Sequence, residues 1–196
     1  VVTKMLGEVF DWDGRAINTI KHLLVHPGRL TLDYLAGFRK KHTPPIRLYL
    51  VVSLLFFIIL PIIMPTPAEP DPVSADTLAT EQYSRMMFVL LPVFALFLKL
   101  LYRNRFYVEH LVFSMHVFSA MFLVFALMLS MENPADQSLI WVSIQVAVFA
   151  YMIWYCLTAL HVVYQDSWWV CALKFIALVA LFLPTLSGGL NLASQF

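Results

Sequence analysis

Five runs of this chain stay apolar for about the 20 residues that a helix needs to cross a hydrocarbon layer. They fall at 46–64, 86–102, 111–131, 139–160 and 169–186. The first, IRLYLVVSLLFFIILPIIM, carries a single charge, Arg47, at its start. Runs of this kind cannot leave backbone N–H and C=O groups open to lipid, so each must close its own hydrogen bonds as a helix. Composition agrees: 61% of residues are hydrophobic and 13% charged, where a soluble domain has roughly half and a quarter. The expected fold class is an all-α integral membrane protein, with a transmembrane domain over 46–187 built as a bundle of five transmembrane helices.

Prolines punctuate the runs. Pro44 and Pro45 suit a helix start, where the first turn has spare N–H groups. Pro92 predicts a kink in the second run, and Lys99 near its end is placed to snorkel. The last run reaches Pro184, and residues 188–196 read as a loose C-terminal tail. Eight Lys and Arg precede residue 48, and Lys99, Arg103 and Arg105 follow the second run. The segments after the first and third runs are acidic: Glu69, Asp71, Asp76 and Glu81 in one, Glu132 and Asp136 in the other. Positive loops stay inside, which predicts a cytoplasmic N-terminus and a C-terminus on the far side.

Residues 1–45 carry two further patterns. Ile17, Ile20, Leu23 and Leu24 fall at helical spacing opposite Arg15 and Lys21, and Pro27-Gly28 then breaks the helix. Leu30, Tyr34, Leu35 and Phe38 repeat the pattern before a basic cluster. These predict two short amphipathic interfacial helices, either with their bases on anionic headgroups or packed on the cytoplasmic ends of the bundle. Arg39, Lys40, Lys41, Arg47, Arg103 and Arg105 are the candidate contacts to lipid headgroups or to a partner.

Ionisable groups inside a span are costly and call for a named partner. Glu109 and His116 share a helix face, His116 roughly 10 Å deeper than Glu109. Tyr151, Tyr155 and Thr158 form a stripe on the fourth run, which His161 ends. A polar cluster opening to the cytoplasm is therefore expected from Glu109, His110, His116, Tyr151, Tyr155 and His161. As a metal set this offers Glu109, His116 and His161, but no HxxxH or ExxH spacing links those three. The alternatives are a proton relay or quinone site, a lipid pocket, or structural glue. In the last, Glu109 pairs with Lys99, Arg103 or Arg47 and His116 bonds Tyr155. The abundant Phe read as lipid-facing bulk, and Cys156 and Cys171 as packing.

Several of these residues belong to patterns with a family resemblance. Pro27-Gly28, then Tyr34, Leu35, Gly37 and Arg39, then Pro45, Arg47 and Tyr49, and later Glu109, His110, Leu111, Phe113 and His116 resemble the motifs of an uncharacterised bacterial multi-pass family, a domain of unknown function. The resemblance runs over nearly the whole chain and implies the bacterial inner membrane. The family's Cys-rich ribbon has no counterpart in these residues.

No glycine-rich phosphate loop, GxSxG, HExxH or Walker pattern occurs, and a net charge of +1 argues against a nucleic-acid partner. No cofactor is required by the residues. The expected function is a non-enzymatic accessory, assembly or scaffold subunit of an inner-membrane complex, with lipids and a membrane-protein partner or a second copy as its contacts. The alternatives are a small transporter or channel, or a lipid- or quinone-binding protein, enzymatic or not, using Glu109 and His116.

Overall fold

The computed structural model describes residues 14–38, 42–63, 75–130 and 139–193, and every element among these is a helix. In chain order they are α1 (Gly14–Val25), α2 (Arg29–Leu35), α3 (Pro45–Ile63), α4 (Ala75–Leu101), α5 (Tyr107–Ser130), α6 (Leu139–Tyr164) and α7 (Trp168–Ala193). Three are long and apolar enough to cross a membrane, α5, α6 and α7 as far as Leu186, where the sequence predicts five. Pro45–Leu60 in α3 and Phe88–Leu101 in α4 are shorter apolar stretches.

The helix ends follow local chemistry. α3 begins at Pro45, the position where a missing N–H costs nothing, and the Leu48 N–H donates to Pro44 O at 3.0 Å. α5 begins at Tyr107 rather than 111, because Glu109 reaches back to the Phe106 N–H at 3.3 Å and closes half a capping box. α4 starts at Ala75 rather than 86, so polar first turns lead into its apolar part. Pro92 lies inside it, and the Pro92 carbonyl accepts from the Tyr107 hydroxyl at 3.1 Å. α6 runs on to Tyr164, and Gln165, at φ +58, turns the chain left-handed while its N–H closes on His161 O at 2.9 Å. The tail expected to be loose from residue 188 is helical as far as Ala193.

α5 is the hub, packing on α1, α2, α3, α4 and α6, while α7 packs on α4 and α6. Half of α5's most apolar window is buried, against 11% of α7's. The phenylalanines read as lipid-facing are in part this core: Phe113, Phe118 and Phe122 are buried. Phe122 meets Phe56 and Phe57 of α3 at 5.0 and 5.7 Å between ring centroids, and Phe118 meets Phe94 of α4 at 5.3 Å. Such ring pairs suit a bundle held by packing, because lipid tails solvate an apolar helix as well as another helix does. Ala95, Ala120, Ser114 and Ser119, all buried, let the backbones approach. The serine hydroxyls bond back into their own turns, to His110 O and Met115 O. Cys156 and Cys171 are buried free thiols in the packing.

α1 and α2 do not merely lie beside the bundle: both pack on α5, and α2 on α6 as well. Their buried faces keep most of the apolar faces read in the sequence, with Leu23 and Leu30 in the core and Ile20 and Leu24 packed against it, and each adds a threonine. In α1 Thr19 and Leu23 are buried while Ile17 is 57% exposed. In α2 Leu30 and Thr31 are buried while Phe38, beyond its end, is exposed.

Candidate functional site

A helix ends with carbonyls that have no partner in a next turn. At the end of α1 the following turn and the bundle together supply the partners. His22 O accepts the His26 N–H at 3.0 Å, Leu23 O the Tyr155 hydroxyl at 2.9 Å, and Leu24 O the Tyr151 hydroxyl at 2.8 Å. The two tyrosines stand four residues apart on α6 and so share a face. Gly28 then turns the chain at φ +77 and closes on α6, where a Cβ would lie 2.9 Å from Ala159 O and 3.1 Å from Val163 Cγ2. α2 starts at the next residue and sets Thr31 Oγ1 2.9 Å from His116 Nδ1, both side chains buried. The Thr43 N–H donates to Thr19 Oγ1 at 3.2 Å and ties α1 to the entry of α3.

Beside this joint lies a group of imidazoles. His22 stacks on His26 with centroids 4.7 Å apart and meets His42 at 5.4 Å, while His42 Nε2 is 3.2 Å from Asp33 Oδ2. Among the described residues no group of three or more His, Cys, Asp or Glu is arranged to hold a metal ion.

The turn between α4 and α5 builds a second polar region. Lys99 Nζ donates to Arg103 O and Arg105 O at 2.8 and 2.6 Å, which fixes the turn. Arg105 donates to Glu109 at 3.1 Å and to Val163 O at 3.0 Å. His110 Nδ1 lies 2.7 Å from the Tyr164 hydroxyl, and the Tyr164 ring stacks on Tyr102 at 3.7 Å. Lys174 pairs with Asp166 at 2.7 Å and places its ammonium 3.8 Å from the Tyr102 ring centroid. Between these side chains is a cavity of about 480 Å³, lined mainly by Tyr102, Arg103, Arg105, Tyr164, Asp166 and Lys174.

The six residues expected to form one cluster therefore take separate partners. Glu109 caps α5 and pairs with Arg105, a base other than the three expected for it. His110 joins Tyr164, and His116 bonds Thr31 rather than Tyr155. Tyr151 and Tyr155 hold α1 and share a crevice of about 10 Å³, room for about one water. His161 donates to Asp166 O at 2.7 Å and stacks on Trp168 at 4.3 Å. Glu109, His116 and His161, the metal candidates, thus each serve a different contact. Of the basic candidates, Arg103 and Arg105 line the large cavity and Arg47 is half-buried in α3, whereas Arg39, Lys40 and Lys41 lie outside the described residues.

Sequence reasoning missed Thr31, the His22–His26–His42–Asp33 group and Lys174. The i, i+4 spacing of HLLVH was a signal for the imidazoles, and Lys174 is a lone charge inside the last apolar run. Nothing local marked Thr31, whose partner is 85 residues away.

A model of the family described as "Protein of unknown function (DUF3667)" matches residues 13–57. That range holds α1, α2 and most of α3, and is shorter than the nearly chain-long resemblance read from the motifs; it ends before the Glu109–His116 motif. No curated protein and no solved structure matches the chain.

Proposed function

We propose that this protein is a non-enzymatic accessory, assembly or scaffold subunit of a bacterial inner-membrane complex. It is a five-span bundle with a cytoplasmic N-terminus and a periplasmic C-terminus, and its first two helices are a fixed docking platform. The observation that carries this proposal is the clamp on α1 and α2: Tyr151 and Tyr155 of α6 and the buried His116 of α5 are engaged in holding those helices. A helix pair that only floated among headgroups would need no such contacts, since water would satisfy its end carbonyls. A clamped pair presents a constant surface. Ile17, Lys21 and Val25, at i, i+4 and i+8, are its exposed stripe.

The five-span count is supported by the apolar stretches of α3 and α4, both of which belong to helices that pack on α5. The orientation is supported by the basic residues before 48 and between 99 and 105. A transporter, channel or quinone role for Glu109 and His116 has less support, because each already serves a structural contact.

Gentle extraction from the native membrane, followed by quantitative mass measurement of the intact assembly, tests the proposal. One membrane protein should accompany the chain at fixed stoichiometry and be lost in an Ile17→Ser/Val25→Ser variant that keeps its unfolding temperature. A chain that emerges alone, or a companion indifferent to those substitutions, would refute it.

A further inference from the structure

We propose that the cavity between the α4–α5 turn and the start of α7 binds the phosphate headgroup of an anionic membrane lipid, with Arg103, Lys174 and the Tyr102 hydroxyl as its contacts. This inference is independent of any scaffold role and rests only on the chain lying in a bilayer.

Size comes first: about 480 Å³ is within the few hundred to a thousand of ordinary ligand sites and fits a phosphodiester with its glycerol. Charge is next. The lining offers Arg103, Arg105 and Lys174 against Asp166. Arg105 is paired with Glu109 and Lys174 with Asp166, whereas Arg103 is exposed and makes no ion pair among the described residues. A guanidinium with all its donors available is matched by a phosphate, which accepts two of them side by side.

The third observation is an unsatisfied donor. Tyr102 is 8% exposed, lines the cavity, and its hydroxyl is buried without a hydrogen-bond partner among the described residues. A buried hydroxyl left unmatched is unfavourable, so a ligand oxygen that accepts from it is preferred over one that cannot. Finally, the flanks are apolar: Phe106 follows Arg105 and is 79% exposed, and Trp169 is 87% exposed. Exposed aromatic groups beside a basic pocket belong at the headgroup level of a membrane and fit a ligand that has acyl chains.

Native mass spectrometry of the detergent-solubilised protein, offered equal phosphatidylglycerol and phosphatidylcholine, tests the inference. One phosphatidylglycerol should be retained in preference to phosphatidylcholine. Arg103→Gln should weaken that retention about fivefold, as expected for one base at an anionic surface. Tyr102→Phe should weaken it too, with the unfolding temperature of the lipid-free protein unchanged. Arg29→Gln, which removes an exposed base elsewhere, should leave it as it is. Equal retention of the two lipids, or wild-type retention in both the Arg103 and Tyr102 variants, would overturn the assignment. Complete displacement of the lipid by low-millimolar inorganic phosphate would also overturn it, in favour of a soluble phosphate ligand.

Discussion

The contact between Thr31 and His116 joins a seven-residue helix to the most buried helix of the bundle by one hydrogen bond at 2.9 Å. Replacing Thr31 by Val keeps the shape and strands the imidazole nitrogen, at a cost of about 1–3 kcal/mol. Replacing both, as Thr31→Val/His116→Leu, removes the stranded group and should recover much of that loss. Thermal unfolding in detergent of the two single variants and the double one measures the coupling; strict additivity would mean that the bond contributes nothing. Gly28 offers a cleaner test of close approach. Gly28→Ala meets both a φ of +77 and a backbone oxygen 2.9 Å away, whereas Gly37→Ala meets φ +94 alone, with nothing within 4 Å. The conformational part is roughly 1–2 kcal/mol for an L-residue in the left-handed region, so Gly37→Ala should lose about that and Gly28→Ala distinctly more. Trypsin cutting at Lys21 and Arg29 should speed up in the Gly28 variant and not in the Gly37 one. The breaker Pro27-Gly28 was legible in the sequence, but the need for glycine against Ala159 was not, because the close neighbour comes from α6.

At the scale of elements, the end of α1 is capped partly by its own following turn, at His22 O, and partly from α6, at Leu23 O and Leu24 O. Tyr151→Phe and Tyr155→Phe each leave one α1 carbonyl, Leu24 O or Leu23 O, without its hydroxyl. Tyr155 is buried and Tyr151 half-exposed, so water can replace the second hydroxyl more easily than the first. Tyr155→Phe should therefore cost the more, about 1–3 kcal/mol, with loss of amide-exchange protection concentrated in residues 14–25. Uniform loss of protection across α5 and α6 would contradict a capping role. Among the starts of these elements Pro45 marked that of α3, whereas α4 and α5 begin ahead of their apolar runs, α5 because Glu109 caps it. Periodicity found Ile20, Leu23, Leu24 and Leu30 on the buried faces of α1 and α2 but not Thr19 and Thr31, which are buried through hydrogen bonds and not through hydrophobicity.

Over the whole molecule, the turn at Asn104 and the start of α6 at Leu139 lie at opposite ends of α5 and α6, and both residues are exposed. In a Cys156→Ser/Cys171→Ser background, Asn104→Cys should react with a membrane-impermeant thiol reagent only after the cytoplasmic face is opened. Leu139→Cys should react from outside in intact cells. Labelling of both from one side would overturn the proposed orientation. The sequence by itself determined that the chain is helical and apolar enough for a membrane, and roughly where its helices run, because a helix satisfies its own backbone and leaves its signature in length, polarity and proline placement. Only the tertiary structure decided what the polar side chains do. The hydroxyls of Tyr151 and Tyr155 and the imidazole of His116 find partners 127, 132 and 85 residues away. Such pairings depend on which helix faces meet in space, a choice made by packing across the bundle and not by the residues along any one helix.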